Sequence, residues 1–451
     1  MEGVSMGLPE VVGITSKHVG RELARKIRDR SANVGVIGLG YAGLHLALEM
    51  ADKGFRVIGI DIDGSKVESI NAGISYVADV PNEALHSAVA KGTIRATQSF
   101  ASVEFLDTIS ICVPTPLRKT KDPDLSYLMA AAEAVHNHLK PGKLVVLEST
   151  IYPGTTRETV LPILQKSGLR AGRDFFLAYS PKRMIPGDKT YTTPNIPKVI
   201  GGITPRCTAL ATLLYQQFIE RIIAVSSSES AEMVRFLENT FRSVNIALAN
   251  EMARMCLKFG ANVWEVIEAA KSKPFDFMPF YPGPGVGGDC FAVDPYYLNW
   301  KARLSGFEPR LLEIAGIINS QMPAFTISRI ADALNKSKKS LNGSHILALG
   351  IAHTRDTNRV RESPSMEIVR TLYDKGAIVS YSDPHVLSIA LDGRTLTSTP
   401  TTPEILSSAD CVVILTDHSA FDYPTIVAHS RLVLDCRNAL RNYRAENVIA
   451  L

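Results

Sequence analysis

The chain has 451 residues, 45% hydrophobic and 21% charged, a composition typical of a globular protein too long for one hydrophobic core. At about 150 residues per domain, we expect two or three domains. The formal net charge of +4 is small for this length and argues against a nucleic-acid-binding or membrane-surface protein.

The cysteines are widely separated and form neither a CxxC pair nor a cysteine–histidine cluster at zinc spacing, so no metal site is expected. This usage is typical of a reducing compartment, where a thiol stays free to react. The N-terminus lacks a basic stretch followed by an apolar one, and no run of about 18 apolar residues occurs. We therefore expect a cytoplasmic protein that binds neither membrane nor nucleic acid. The cysteines are Cys112, Cys207, Cys256, Cys290, Cys411 and Cys436.

The first 31 residues are predicted to be an extension, in which residues 16–30 alternate charged and aliphatic side chains like a solvated amphipathic helix. The next stretch, NVGVIGLGYAGLHLALEMADKGFRVIGIDID, predicts a buried strand, a glycine turn, an amphipathic helix and a second strand. Further strands are predicted in TISICVPTP, KLVVLEST, DFFLAYSP and KVIGG, and a helix in LSYLMAAAEAVHNHL. This alternation indicates a mostly parallel, doubly wound sheet over residues 32–226.

The pattern changes near Ser227, after which apolar residues recur every three or four positions without a strand signal. We predict a long helix and a second one in a helical middle region, residues 227–325. Beyond it, HILALGIA, AIVSYSDP, CVVILTD and RLVLDC predict strands, and SPSMEIVRTLYDKG predicts a helix closed by glycine. Residues 326–451 should form a smaller nucleotide-type domain, whose LALGIA turn lacks a following GxxG and suggests packing or nucleotide binding without redox chemistry. The predicted fold class is α/β, with two Rossmann-like doubly wound domains joined by a helical middle region.

A dinucleotide-binding signal lies in the first of these domains. Gly38, Gly40 and Gly43 form GxGxxG between a predicted strand and helix, where glycines let the backbone approach a pyrophosphate at a helix N-terminus. The next predicted strand ends at Asp61, where a carboxylate would accept hydrogen bonds from the adenosine ribose. Its charge would repel a 2′-phosphate, so we expect NAD rather than NADP, and hydride transfer as the chemistry.

Cys290 lies in GPGVGGDCFAVDPYY, where four glycines precede a thiol. Oxidising an alcohol to an aldehyde needs no cysteine, but a thiolate can carry the aldehyde on to an acid through a thiohemiacetal and a thioester. The glycines would let a sugar approach and expose backbone amides to an oxyanion. We interpret Cys290 as a nucleophile, with Asn239 and Asp294 orienting water or holding the oxyanion. A buried structural role is the ordinary alternative and is expected of the other cysteines.

At these residues the chain resembles the UDP-glucose/GDP-mannose dehydrogenase family, whose members oxidise the C6 alcohol of a nucleotide-sugar to a carboxylate with two NAD. The resemblance covers nearly the whole chain after about residue 30. ENTFRSVNIALANE and PFYPGPGVGG are more similar to the bacterial branch acting on UDP-N-acetylhexosamines than to animal-type UDP-glucose enzymes. The motifs are GLGYAGL, CVPTP, LESTIYPGTT, YSPKRMIPG, LENTFRSVNIALANE, FYPGPGVGGDCFAVDPYYL, RESPSMEIV and DCRNAL.

The resemblance implies a role for each residue at a matching position. The implied catalytic set is Cys290 as nucleophile, Asn239 and Asp294 as its polar partners, Thr150 holding the catalytic water, and Arg235 and Lys182. The implied cofactor contacts are Gly38, Leu39, Gly40, Tyr41, Ala42, Gly43, Asp61, Lys66, Val113, Thr115, Pro116, Ser149, Thr150 and Arg361. The implied substrate contacts are Arg183, Arg235, Asn239, Phe280, Tyr281, Gly283, Gly285 and Gly287. Family members are usually dimers or larger, with the middle helices at the interface, so a homodimer or higher homo-oligomer is expected.

Three positions depart from the family pattern. Lys182 replaces a glutamate that assists thioester hydrolysis as a general base, and a protonated lysine cannot do so. Arg235 replaces a lysine; it can still stabilise an oxyanion but donates a proton less readily. Thr354 replaces the usual lysine of the last domain, and the adjacent His353 is left outside the catalytic set as a packing or exposed histidine.

The expected activity is NAD-dependent oxidation of a nucleotide-sugar, UDP-GlcNAc or UDP-ManNAc, UDP-glucose or dTDP-glucose, at C6 to the uronic acid. Two alternatives stay open because of the departures. The reaction could stop at the aldehyde or stall as a thioester on Cys290. Alternatively, the chain could be a catalytically degenerate paralogue that binds nucleotide-sugar.

Overall fold

The computed structural model describes residues 18–77, 79–116, 118, 122–183, 191–288, 294–443 and 445–451. The described chain divides into two units, Met1–Leu237 and Glu238–Leu451. The second unit contains the predicted last domain and all of the predicted middle region except residues 227–237, so the division does not separate these two predicted domains. The predicted boundaries at residues 31, 226 and 325 therefore remain a proposal.

A twisted sheet forms the centre of the first unit. In the described residues its strand order is β3-β2-β1-β4-β5-β6-β7-β8, parallel throughout except between β6 and β7. Most of its central strands are buried along their whole length, as expected of parallel strands covered on both faces. The strands are β1 (Asn33–Ile37), β2 (Arg56–Ile60), β3 (Ile94–Thr97), β4 (Thr108–Ile111), β5 (Leu144–Leu147), β6 (Phe176–Tyr179), β7 (Lys198–Gly202) and β8 (Ile222–Ala224).

Helices cover both faces of this sheet. They are α1 (His18–Arg28), α2 (Tyr41–Asp52), α3 (Gly64–Asn71), α4 (Asn82–Ala90), α5 (Ser126–Asn137), α6 (Leu161–Gln165) and α7 (Pro205–Tyr215). Helices α1, α2 and α7 contribute to the core on one face, and α5 and α6 to the core on the other. A 3₁₀ turn (Phe100–Phe105) and a π-helical turn (Thr156–Val160) complete the unit.

Helix α1 corrects one expectation. It was predicted as a solvated helix of the extension, but Leu23, Ala24 and Ile27 are buried in the core that also holds α2 and α7. Lys26 anchors the helix through an ion pair of 2.8 Å with Asp107. The apolar face of this amphipathic helix therefore packs on the first unit, because the helix is stabilised when other apolar side chains cover that face and exclude water.

The second unit combines a run of helices with a smaller sheet of order β10-β9-β13-β14-β15, parallel in every described pair. Its helices are α8 (Ser228–Phe259, which begins in the first unit), α9 (Val263–Lys271), α10 (Asp294–Leu304), α11 (Arg310–Ser320), α12 (Met322–Lys336), α13 (Pro364–Asp374), α14 (Pro403–Ser408) and α15 (Tyr423–His429). Its strands are β9 (His345–Leu349), β10 (Ile378–Ser382), β13 (Cys411–Ile414), β14 (Val433–Asp435) and β15 (Val448–Ala450), with a hairpin of β11 (Ser388–Leu391) and β12 (Arg394–Thr397).

The strand order explains where ligands should bind. In the first sheet the order reverses between β1 and β4, and in the second between β9 and β13. Ligands of open α/β sheets bind outside the carboxyl ends of strands at such switch points. Gly38 and Gly350, both at positive φ, follow β1 and β9 at these points. The architecture confirms the predicted α/β class, and none of the described helices is both long and apolar enough to span a membrane.

Candidate active site

The glycine turn after β1 has the geometry that a dinucleotide needs. Gly38 has φ +88°, and a Cβ there would lie 2.9 Å from the Cys112 carbonyl carbon. A Cβ on Gly43 would lie 1.9 Å from the Gly38 oxygen, so neither position accepts a side chain. Gly40 faces open space within 4 Å and begins α2 without a side-chain cap. The first amides of α2 are thus left for an anion such as a pyrophosphate.

Asp61 fixes this turn to the end of β2. One carboxylate oxygen accepts a hydrogen bond of 2.7 Å from the Leu39 backbone amide, and the other accepts one of 3.0 Å from the Asp63 amide. Lys66 places its ammonium 3.7 Å from the same carboxylate. A carboxylate has about four acceptor sites, so capacity remains for ribose hydroxyls. The residues present therefore fit NAD.

Side chains from the ends of β4 and β5 join the two strands. The Ser149 hydroxyl donates to the Val113 carbonyl over 2.7 Å, and the Thr115 hydroxyl donates to the Thr150 carbonyl. The structure thus brings together four of the predicted cofactor residues, Val113 with Ser149 and Thr115 with Thr150. The two members of each pair lie about 35 positions apart in the sequence. Their contact with the cofactor, and the hold of Thr150 on a water, stay predictions.

A buried ionic network beside these strands was not predicted. Glu148 pairs with Lys198 over 2.8 Å, and the side chains are only 7% and 11% exposed. The Tyr215 hydroxyl donates to the same carboxylate, and the Lys198 ammonium lies 4.7 Å from the Tyr215 ring centroid. The one available sequence signal was an acid directly after the apolar strand LVVL. Its partners come from other parts of the chain, so only the fold reveals them.

Glu232, near the start of α8, is a second unpredicted buried acid. Its carboxylate accepts hydrogen bonds from the Gly154 amide over 2.5 Å and from the amide and hydroxyl of Thr156, over 3.0 and 2.5 Å. Burial raises the pKa of Glu232 to about 7, against the opposing effect of these donors. The carboxylate holds the turn that follows Thr150 and so stabilises the segment carrying predicted site residues.

Lys182 and Arg235, the two departures in the first unit, are neighbours. The Arg235 guanidinium donates to the Lys182 carbonyl over 3.0 Å. The Lys182 ammonium lies 4.2 Å from the centroid of the Tyr41 ring, and the Tyr41 hydroxyl donates to Asp79 over 2.7 Å. The Arg183 guanidinium, predicted to contact substrate, donates to the Pro197 carbonyl.

In the second unit, Asn239 and Asp294 are brought together. The Asn239 amide donates to the Asp294 carboxylate, which lies fully buried at the start of α10. The sequence predicted both as partners of Cys290. Cys290 itself lies outside the described residues, and its role stays a prediction.

The predicted substrate loop packs against motifs from distant parts of the second unit. A Cβ on Gly283 would lie 2.7 Å from the Arg437 guanidinium, and one on Gly285 would lie 2.7 Å from Pro364. A Cβ on Gly287 would lie 2.7 Å from His353. Each glycine thus marks a close approach of the backbone, at which a side chain would collide with the neighbouring residue.

The aromatic residues of the loop are held by the helical region. Phe280 packs edge-on against Phe241, with ring centroids 5.6 Å apart. Tyr281 stacks on Trp264 and donates its hydroxyl to Glu268 over 2.6 Å. The predicted cofactor residue Arg361 is exposed in the turn before α13, also in the second unit.

The thiols differ from expectation at one position. Cys207, Cys256, Cys411 and Cys436 are buried, as predicted for structural cysteines. Cys112, at the end of β4, is partly exposed. It follows the central strand β4, next to Gly38, and its side chain packs against the core of the first unit, where burial raises the pKa of the thiol.

Asp356, His385 and His418 offer ligand atoms within 4.8 Å of one another, a group that the sequence did not suggest. The Nδ1 of the buried His418 accepts the Asp356 backbone N–H over 2.9 Å, so its Nε2 carries the ring hydrogen and donates it to the Asp383 carboxylate over 3.1 Å. An imidazole nitrogen has one lone pair, so a metal ion would have to displace that hydrogen bond. We assign no metal to this group.

The glycine turn, the fixed Asp61 and the switch point at β1 and β4 define an NAD-dependent dehydrogenase that carries a second nucleotide-type fold. Three family models match the chain in order. They describe the NAD binding, central and UDP binding domains of the UDP-glucose/GDP-mannose dehydrogenase family, over residues 32–219, 229–321 and 347–442.

Two similar proteins match most of the chain. UDP-N-acetyl-D-mannosamine dehydrogenase of Pyrococcus horikoshii is 34% identical over 90% of this chain and 96% of its own. UDP-N-acetyl-D-glucosamine 6-dehydrogenase of Pseudomonas aeruginosa is 36% identical over 79% of this chain and 84% of its own. The solved structure of the UDP-D-ManNAc dehydrogenase from Pyrococcus horikoshii matches with a TM-score of 0.84 and 34% identity, covering 93% of this chain and 98% of that one.

The chain belongs to the UDP-glucose/GDP-mannose dehydrogenase family. The predicted fold class, enzyme class and cofactor are confirmed: it is an NAD-dependent nucleotide-sugar dehydrogenase.

Proposed function

We propose that the chain oxidises the C6 alcohol of a UDP-N-acetylhexosamine, UDP-ManNAc or UDP-GlcNAc, to the uronic acid. The support is that two relatives matched over most of the chain are named for these two sugars. The sugars share an acetamido group at C2, which UDP-glucose and dTDP-glucose lack. The latter two remain the substrates to compare.

The domain assignment follows the sequence boundaries. We assign residues 32–226 to NAD binding, residues 227–325 to the middle region and residues 326–451 to the nucleotide of the substrate. The matching family models fall close to these limits and support the assignment.

NAD, when bound, supplies a hydride acceptor for each of the two oxidations. The Gly38–Gly43 amides would hold its pyrophosphate and Asp61 would hold its adenosine ribose, and Val113 and Ser149 are further contacts that the family resemblance implies. In the first oxidation C6 loses a hydride to the cofactor and its hydroxyl loses a proton, giving the aldehyde.

The second oxidation uses the Cys290 thiolate. Its sulfur would bond to the aldehyde carbon while the oxygen takes up a proton. The resulting thiohemiacetal would then lose a hydride, which a second bound NAD would accept, and a proton to water. Asn239, oriented by its hydrogen bond to Asp294, donates its other amide hydrogen to the C6 oxygen. Water then cleaves the thioester, releasing the carboxylate and restoring the thiol.

Hydrolysis of the thioester is the step that the departure from the family pattern at Lys182 affects most. Lys182 stands where the family resemblance places a general base, and its ammonium is directed to Tyr41. This observation favours the second candidate, an enzyme that stalls as an acyl-thioester on Cys290. Both candidates release two NADH for each sugar oxidised. The first turns over and frees the acid, whereas the second stops after one sugar per enzyme and leaves a stable acyl-enzyme.

The test is an NADH assay on the purified chain with UDP-ManNAc, UDP-GlcNAc, UDP-glucose and dTDP-glucose. We expect the natural chain to form two NADH per acetamido sugar. Cys290→Ser should block the second oxidation while the first persists, and the control Cys256→Ala, which changes a buried thiol in α8, should keep full activity. Intact-protein mass spectrometry during turnover detects a stalled enzyme by the added mass of the acyl sugar. Binding of NAD and UDP-sugar with no NADH from any sugar would contradict both candidates and favour a degenerate paralogue.

We also propose a homodimer formed by the middle helices. Phe241, Leu248 and Met255 recur every seven residues on α8 and are 47%, 57% and 42% exposed. Leu311 and Ile314 expose more apolar surface on α11, at 62% and 55%. An apolar stripe of this kind is typical of an association surface. Sedimentation equilibrium should give a dimer for the natural chain and a monomer for Leu248→Glu, and a monomeric natural chain would contradict the proposal.

A further inference from the structure

The glycine turn after β1 is held by a tyrosine that was not among the predicted cofactor contacts. Tyr76 lies between α3 and α4, and its hydroxyl donates a hydrogen bond to the Leu39 backbone carbonyl. Leu39 is the second residue of GxGxxG, and its side chain is fully buried. A residue 37 positions further along the chain thus contacts the backbone of the turn directly.

The backbone of Leu39 is held at both of its polar groups. Its N–H donates to the Asp61 carboxylate over 2.7 Å, and its carbonyl accepts the Tyr76 hydroxyl. The Leu39–Gly40 peptide is trans, and a peptide is planar, so a fixed carbonyl also fixes the direction of the Gly40 N–H. Gly40 is the residue from which α2 begins. Both hydrogen bonds therefore act on the short stretch that joins β1 to the first amides of α2.

This stretch has little local reason to keep one conformation. Gly38 and Gly40 flank Leu39, and glycine has access to a wider range of backbone angles than any other residue. No side chain caps the start of α2 at Gly40. Hydrogen bonds from outside the turn restrict its freedom before a ligand arrives, so less conformational entropy is lost when the ligand binds.

The surroundings of Tyr76 suit it to this task. Burial raises the pKa of Tyr76, and the negative charge of Asp61 raises it further, so the hydroxyl keeps its hydrogen and remains a donor at neutral pH. The backbone on either side of the tyrosine is anchored. The Ser75 N–H donates to the Asn82 side chain over 2.7 Å, and the Val77 side chain is buried in the core of the first unit. The hydroxyl is therefore carried by a fixed part of the chain.

We propose that Tyr76 is a positioning residue of the cofactor site. Its hydroxyl, together with Asp61, holds the glycine turn in the conformation that presents the first amides of α2 to the diphosphate of NAD. Tyr76 acts on the diphosphate only through the Leu39 backbone. The inference depends on NAD binding, which the family match shows, and not on which sugar is oxidised.

The test measures binding without a sugar substrate. The dissociation constants of NADH and ADP-ribose are measured by calorimetry, and that of adenosine by its competition with NADH, for the natural chain, Tyr76→Phe and the control Tyr373→Phe. Phenylalanine keeps the ring and removes only the hydroxyl. We expect Tyr76→Phe to bind NADH and ADP-ribose about tenfold more weakly, as for the loss of one hydrogen bond. Adenosine lacks the diphosphate, and its affinity should not change.

Tyr373→Phe is the matched control, because the Tyr373 hydroxyl also donates to a backbone carbonyl, that of Val379 over 2.6 Å, but in the second unit. It should bind all three ligands as the natural chain does. An equal loss of adenosine and ADP-ribose affinity in Tyr76→Phe would overturn the proposal, since the change would then distort the whole site. Unchanged ADP-ribose affinity in a folded Tyr76→Phe, checked by thermal melting, would also overturn it. Neither result depends on sugar turnover, so failure of the proposed substrate or of the Cys290 step leaves this test intact.

Discussion

Glu232→Gln should change the pH dependence of the stability of the first unit. The carboxylate of Glu232 is fully buried and accepts three hydrogen bonds from Gly154 and Thr156. Burial raises its pKa from 4.5 to about 7. Because the folded state holds this proton more tightly than the unfolded state, stability is greatest below pH 4.5 and is lost as the pH rises through 7.

The size of the effect follows from the two pKa values. Between pH 5 and pH 8 the unfolded chain has already released the proton, whereas the folded chain releases it only near pH 7. Integrating the proton difference gives a loss of about 2.5 kcal/mol in the free energy of unfolding over this range. Glutamine has no proton to release, so Glu232→Gln should not show this loss. It should show a constant decrease of about 1–2 kcal/mol, because its amide nitrogen cannot accept the Gly154 N–H.

Urea unfolding at several pH values between 5 and 8 measures the free energy of unfolding of the natural chain and of Glu232→Gln. Both tryptophans, Trp264 and Trp300, lie in the second unit, so hydrogen-exchange mass spectrometry on peptides of β4 and β5 is needed to follow the first unit. Glu229→Gln is the matched control, since pairing with Arg157 holds the pKa of Glu229 at about 2, below the range. The free energies of unfolding of Glu229→Gln and the natural chain should differ by a constant amount between pH 5 and pH 8. A constant difference for Glu232→Gln as well would refute the reasoning.

Three further substitutions test other parts of the structure. Gly288→Ala should weaken UDP-sugar binding at least tenfold in calorimetry, because φ there is +105° and the new Cβ would lie 3.1 Å from the His353 ring; unchanged affinity would mean that the loop tolerates the change. Asp61→Asn should lower the affinity for NAD about tenfold and reduce the preference for NAD over NADP, and an unchanged ratio of the two dissociation constants would contradict the assigned role. Lys143→Met should destabilise the first unit by about 2 kcal/mol in urea unfolding, because its ammonium donates to the carbonyls of the turn around Val103; a loss below about 0.5 kcal/mol would show that water replaces it.

Local sequence was enough for the order of the main elements and for the cofactor turn. GxGxxG, the flanking apolar strands and Asp61 lie within about 30 residues, so their spacing alone predicts one βαβ unit. The structure agrees, and the family match confirms NAD. The short β3 and β8 and the hairpin of β11 and β12 carry weaker signals, because short strands hold few apolar residues. Strand β7 was predicted, but its antiparallel pairing with β6 depends on the fold.

The sequence by itself determined the two nucleotide-type folds, the glycine turn and the identity of the family, because each depends on neighbouring residues. Tertiary structure alone decided that α1 is buried and that Glu148 pairs with Lys198. It also decided that Lys182 points to Tyr41. These outcomes depend on which surfaces and charges meet across long stretches of chain. A buried charge is stable only beside a partner, and that partner is chosen by the packing of the whole unit rather than by sequence spacing.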